Sequence, residues 1–128
     1  VAGRTYVAYC FHSIEGYSKI GSYEGNGDDP DGPFIYTGFK PAMTMIKCID
    51  SVRTWFIIDR KRDPINEDSV KLLFPDDASV ELDYTNYEID YVSNGFKVRG
   101  DNGSVNTNGD SYLYLAFAEN PFKTANAR

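Results

Sequence analysis

Short runs of apolar and aromatic residues follow one another along the chain, separated by clusters of Gly, Pro, Asn and Asp. Several runs alternate between apolar and polar positions, which is typical of strands with one buried face. No window shows the period of an amphipathic helix. We therefore predict an all-β domain, an antiparallel β-sandwich of jelly-roll type, with strands near Arg4–His12, Lys19–Glu24, Phe34–Thr37, Met43–Asp50, Thr54–Asp59, Val80–Tyr84, Tyr87–Val92, Gly95–Arg99 and Ser111–Ala118.

Turn residues divide these runs. Gly25–Pro33 consists only of Gly, Pro, Asn and Asp, which predicts a loop. Asn94-Gly95 and Asn102-Gly103 carry the Asn-Gly signal of tight hairpins, in which both central residues adopt positive φ. The bulky apolar positions between the turns predict a core that draws on Ile46, Trp55, Ile57, Leu82, Val98, Leu113, Leu115 and Phe117.

A sequence similarity between two segments of the chain bears on the number of domains. Thr5–His12 aligns without gaps on Ser111–Ala118, and alternate positions are bulky and apolar in both segments. One interpretation is coincidence between two Tyr-rich strands. The other is that the first segment is the closing strand of a preceding module of the same kind. We accordingly expect residues 1–20 to be an N-terminal strand and linker, and residues 21–128 to be the sandwich module with a short C-terminal tail.

Composition limits the partners. The 128 residues include 19 acidic and 13 basic side chains, for a net charge of -6. A nucleic-acid module needs a basic face, so we expect no nucleic-acid partner. No apolar stretch approaches the ~20 residues of a membrane span, so we expect no membrane insertion.

Cysteine and histidine are scarce. Cys10 and Cys48 both lie in apolar runs and are expected to be free and buried, although a disulfide between them stays open. His12 is the only histidine.

The sequence also carries no catalytic motif. No pair of carboxylates is distinguished as a glycosidase pair, and no phosphate-binding or nucleophile-elbow motif occurs. We predict no catalytic residues and no enzyme activity.

Two groups of polar residues are candidate sites. Loop carboxylates provide the oxygen ligands that Ca²⁺ prefers, although a solvated acidic loop explains the same residues and the spacing is not that of an EF-hand. The candidate metal ligands are Asp28, Asp29 and Asp31. Tyrosines beside Asn and Asp suit a sugar, since they combine an apolar face with a polar end. The candidate ligand-binding residues are Tyr84, Asn86, Tyr87 and Tyr91, with half-buried packing of the tyrosines as the alternative.

Several segments together carry a resemblance that covers nearly the whole chain. They include Tyr6–Phe11, Gly16–Lys19, Gly38–Ala42, Ser93–Lys97 and, most specifically, Tyr112–Lys123. They resemble an uncharacterised β-rich module of virion proteins of marine tailed bacteriophages, including cyanophages, often near the C-terminus of tail-fibre-like chains.

The resemblance implies a non-enzymatic module of the virion, in a tail fibre or similar appendage, that attaches to a glycan or protein receptor on the host surface. The alternative is a purely structural virion component, such as a capsid decoration or an oligomerisation domain. The implied partners are other virion proteins or copies of the chain itself, as in a homotrimer. The implied location is the virion, an extracellular particle.

Overall fold

The computed structural model describes residues 3–63, 66 and 69–121, and in this part of the chain the fold is all-β. The short C-terminal tail expected from the sequence lies outside the described residues. The described residues form no helix that is long and apolar enough to cross a membrane. The strands are β1 (Ser18–Glu24), β2 (Phe34–Tyr36), β3 (Pro41–Cys48), β4 (Phe56–Asp59), β5 (Val70–Lys71), β6 (Asp83–Tyr84), β7 (Ile89–Val92), β8 (Gly95–Val98) and β9 (Ser111–Ala118).

Two antiparallel sheets make the sandwich. The larger has the order β1-β9-β3-β4 and the smaller the order β2-β8-β7, while β5 and β6 form a separate pair. The first strand pairs with the ninth in one sheet, and the second pairs with the eighth in the other. This nesting of early strands against late ones is a jelly-roll feature. β1 begins at Ser18, so the boundary expected at residue 21 falls inside this strand.

The inner faces of the two sheets meet in an aromatic core. Tyr23 of β1 stacks on Tyr112 of β9 at 5.0 Å between ring centroids and meets Phe96 of β8 edge-on at 6.2 Å. The tyrosine hydroxyls stay satisfied, because Tyr23 donates to the carbonyl oxygen of Val105 and Tyr112 to that of Gly103, each at 2.8 Å. Burial raises the pKa of Tyr23 well above its usual value. Rings with a satisfied polar end are favourable core residues.

The predicted core is partly wrong. Ile46 and Val98 are buried between the sheets as expected, whereas Leu115 is buried on the outer face of the larger sheet. On β9, however, Tyr112, Tyr114 and Ala116 fill the core, and the series Leu113, Leu115, Phe117 lies on the outer face of the larger sheet. Leu113 and Phe117 are therefore only half-buried, and so are Trp55 and Ile57 at the start of β4. Leu82 is 56% exposed, because the strand predicted near residue 80 is reduced to Asp83–Tyr84.

The N-terminal arm, residues 4–13, lies outside every strand that the structure describes. The strand predicted there is therefore wrong for the described structure. The arm is held at its end, where Ser18 Oγ donates to the carbonyl oxygen of His12 at 2.7 Å. Cys10 in the arm is exposed, contrary to expectation, whereas Cys48 is buried, and both thiols are free.

Of the two predicted tight hairpins, the one at Asn94-Gly95 is found, but without the expected positive φ, and the one at Asn102-Gly103 is not. β7 and β8 are joined through Ser93 and Asn94, since Val92 pairs with Gly95. Neither Asn94 nor Asn102 has positive φ, and among the described non-glycine residues only Asn86 does, at 68°. After Asn102 the chain makes a helical turn, in which the amides of Val105 and Asn106 donate to the carbonyl oxygen of Asn102.

Candidate binding cleft

A polar cleft of about 480 Å³ opens beside the smaller sheet. Three segments that are distant in sequence supply its walls: the Gly25–Pro33 loop, residue 66, and the region from residue 86 to residue 99. Its lining residues are Asp29, Pro30, Asn66, Asn86, Glu88, Asp90 and Arg99.

The Gly25–Pro33 loop is positioned by the amide of Asn106, which is fully buried. Asn106 Oδ1 accepts hydrogen bonds from the backbone amides of Asn26 at 2.9 Å and Gly27 at 3.2 Å. Its Nδ2 donates to the carbonyl oxygens of Asp28 at 3.0 Å and Gly100 at 3.1 Å. Both donors and both acceptor positions of one amide are thus engaged, and they tie the loop to the end of β8.

Arg99 closes the cleft between this loop and β7. Its Nε donates to Asp90 Oδ2 at 2.6 Å, and its Nη1 donates to the carbonyl oxygen of Pro30 at 3.3 Å. The backbone is fixed on the same side, because the amides of Arg99 and Gly100 both donate to the carbonyl oxygen of Glu88. The guanidinium therefore links β7 to the Gly25–Pro33 loop and balances the charge of Asp90.

The remaining wall is made by Asn86, Glu88 and Asn66. Asn86 adopts its left-handed conformation with its backbone amide donating to Glu88 Oε1 at 2.9 Å. Asn66 pairs with the edge of β7 in the manner of a strand residue: its Oδ1 accepts from the amide of Tyr91 at 3.1 Å, and its Nδ2 donates to the Tyr91 carbonyl oxygen at 3.3 Å. Amide and carboxylate groups thus face the cleft from both sides.

The four predicted ligand-binding residues do not lie together at one site in the structure. Only Asn86 lines the cleft. Tyr91 is a core residue, because its hydroxyl bonds Thr44 Oγ1 at 2.6 Å and the carbonyl oxygen of Ile58 at 3.1 Å, and burial raises its pKa. Tyr84 and Tyr87 are half-buried and contact each other edge-on at 5.9 Å. All three tyrosines thus have packing roles inside the domain, and a ligand contact through them stays a prediction from the sequence.

The three predicted metal ligands also have different surroundings. Asp29 lines the cleft, whereas Asp31 pairs with Lys97, whose hydrogen bond and charge lower the pKa of that carboxyl. The amide of Asp28 donates to Asn26 Oδ1 at 3.0 Å, which forms an Asx turn. No group of three His, Cys, Asp or Glu side chains among the described residues is arranged for a metal ion. Calcium binding stays a prediction from the sequence.

Sequence reasoning missed Arg99, Asn66 and Asn106. Arg99 could have been predicted as a site residue, because it is a basic residue between Val98 and Gly100 at the end of a predicted strand. In the sequence, Asn106 indicates only a turn, in which Asn is a common residue. Its role depends on contacts with Asn26 and Gly27, which lie about 80 residues away in the chain, and no local pattern reports them.

The cleft has an acidic balance, with three carboxylates against one guanidinium. Carboxylates accept strong hydrogen bonds from hydroxyl and ammonium groups, and they repel anions. None of the described lining residues is aromatic. The arrangement thus suits a neutral or amino-bearing polyhydroxylated ligand that is bound through hydrogen bonds.

Comparison with known families matches residues 1–121 to a domain of unknown function (DUF7483). Searches of curated proteins and of solved structures found no match.

Proposed function

The chain belongs to the DUF7483 family of domains of unknown function, and from its own surface we propose that it is a non-enzymatic attachment module. The proposed ligand is a neutral or amino-bearing glycan on a host surface, bound in the polar cleft. The setting is the one that the sequence resemblance implies, the tail fibre or a similar appendage of a phage virion. The observation that carries the proposal is the cleft itself, where Asp29 and Asn86, singled out separately in the sequence, line one site.

The chemistry of the cleft supports a glycan in particular. Asp29, Glu88 and Asp90 offer acceptors for sugar hydroxyls, and the side chain of Asn86 offers both a donor and an acceptor. A loop that is held by a buried amide and a strand edge that is capped by Asn66 form the walls before any ligand arrives. Such preorganisation reduces the entropy that binding costs.

The test is a glycan array and host-cell binding with the purified chain. We expect wild type to bind neutral or amino-bearing glycans in preference to sialylated or sulfated ones. Glu88→Gln keeps an oxygen for the Asn86 amide but removes the charge, so we expect binding about tenfold weaker, or about 1.4 kcal/mol. Asp77→Asn makes the matching charge change in an exposed turn that does not line the cleft, and we expect it to bind like wild type.

Each alternative has its own result. Binding to host cells that protease treatment abolishes, with no glycan bound, assigns a protein receptor. A chain that binds neither cells nor glycans favours the structural virion component. Equal losses in Glu88→Gln and Asp77→Asn contradict the cleft as the site. A shortened glycan released during incubation contradicts the non-enzymatic part of the proposal.

A further inference from the structure

The outer face of the larger sheet is apolar at its centre. Ile20, Leu115, Met45 and Ile57 lie in direct register across all four strands. Phe117 pairs with Met43 on one side of this row. The inner face of the same sheet is already covered by the smaller sheet. A sheet that is apolar on both faces needs a covering layer on each.

The N-terminal arm covers part of this face. Phe11 meets Phe117 edge-on at 6.0 Å between ring centroids. Beside that contact a groove of about 470 Å³ stays open. Its lining residues are Tyr9, Phe11, Ile20, Met45, Trp55, Leu113 and Leu115.

The arm itself presents apolar side chains to solvent. Tyr6 is 67% exposed, Val7 78% and Tyr9 82%. Contiguous exposed apolar surface of this kind marks an interaction site. One chain therefore carries both an apolar groove and projecting apolar side chains beside it, which is what a contact between identical copies requires.

Charge also favours a second copy as the occupant. The register places only Glu24, Lys47 and Asp59 as charged residues among the outer-face positions of the paired strands. This face is nearly balanced in a chain of net charge -6, so two copies meet here with little repulsion. A single lysine gives a charged partner or an anionic membrane little to pair with.

We infer that a second copy of this chain covers the outer face of the larger sheet, with the arm of each copy seated in the groove of a neighbour. Tyr9 is the central contact, because it lines its own groove and is also the most exposed of the arm's four large apolar side chains, Tyr6, Val7, Tyr9 and Phe11. The surface lies on the opposite sheet from the polar cleft, so the inference does not depend on the proposed function.

Sedimentation velocity of the 128-residue chain at about 1 to 100 μM tests the inference. We expect a concentration-dependent oligomer whose mass distinguishes a dimer from a larger closed ring. Tyr9→Ser removes only an exposed side chain, and we expect it to weaken association at least about tenfold, or about 1.4 kcal/mol. The matched control is Tyr36→Ser, at a 65% exposed position on the smaller sheet, and we expect no change.

Three results overturn the inference. One is a wild-type chain that stays monomeric over the whole range. Another is a Tyr36→Ser variant that dissociates as much as Tyr9→Ser. The third is a monomer that adsorbs to phosphatidylcholine vesicles and loses this adsorption in Tyr9→Ser, since this assigns the face to lipid. Circular dichroism confirms that both variants are folded before they are compared.

Discussion

At the scale of single residues, one buried amide does most to shape the candidate site. Asn106 supplies two acceptor and two donor contacts, and three of the four go to the loop that forms one wall of the cleft. A buried polar group with all its hydrogen bonds made stabilises the structure modestly, but an unsatisfied one is costly. The shape of the cleft should therefore be sensitive to the donor half of this amide.

Asn106→Asp tests this dependence. The carboxylate keeps its acceptors for Asn26 and Gly27 but loses both donors and faces the carbonyl oxygens of Asp28 and Gly100. We expect the free energy of unfolding to fall by at least about 2 kcal/mol, measured by urea denaturation at neutral pH. Asn108→Asp makes the same replacement at an exposed position and should cost less than about 0.5 kcal/mol. Equal stability of the two variants would contradict the role of Asn106.

At the scale of elements, the sequence predicts where most strands lie but not which way they face. Turn residues bound Ser111–Ala118 clearly, and the strand is found at those bounds. The sequence predicts the wrong side of this strand as the buried one. Alternate residues place Tyr on one side and Leu or Phe on the other, and because both sides are apolar the pattern does not distinguish them. The choice depends on Tyr23 and Phe96, which receive the tyrosine rings and are remote in sequence.

The cleft shows the same limit at the level of loops. Asp29 and Asn86 were singled out from local composition, and both line the site. Tyr91 was singled out by the same reasoning and lies in the core, because adjacent positions of a strand face opposite sides. Asn66 and Arg99 become site residues only through the pairing of β7 with its neighbours, which local sequence does not encode.

Gly95 explains how β2 comes to pair with β8. A side chain at this position would meet the carbonyl oxygen of Ile35 in β2, so the close approach of the strands requires glycine. We expect Gly95→Ala to lower the free energy of unfolding by about 3 kcal/mol, because the clash is with backbone.

Gly38→Ala is the control for Gly95→Ala. It places the same methyl group at a φ of 84° with no atom closer than 3.6 Å, so only backbone strain of about 1 kcal/mol is expected. Urea midpoints of both variants measure the difference. A Gly95→Ala variant as stable as Gly38→Ala would show that β2 can move away from β8 at little cost.

At the scale of the whole molecule, the core between the two sheets contains tyrosine rings as well as aliphatic side chains. Tyr23, Tyr91, Tyr112 and Tyr114 lie between the sheets, and burial raises the pKa of each hydroxyl. The folded chain therefore holds these protons more tightly than the unfolded chain does. Below pH about 10 both states are protonated at these residues, and the difference has no effect on stability.

Above pH about 10 the unfolded chain releases tyrosine protons that the folded chain retains, so we expect the free energy of unfolding to fall as pH rises. Each buried tyrosine contributes a slope of up to about 1.4 kcal/mol per pH unit until its own pKa in the folded state is reached. Urea denaturation between pH 9 and pH 11 measures the slope. Tyr114→Phe removes one of these hydroxyls and should flatten it. A stability that is constant over this range, with tyrosinate absorbance from all ten tyrosines appearing in the still folded chain, would contradict the closed aromatic core.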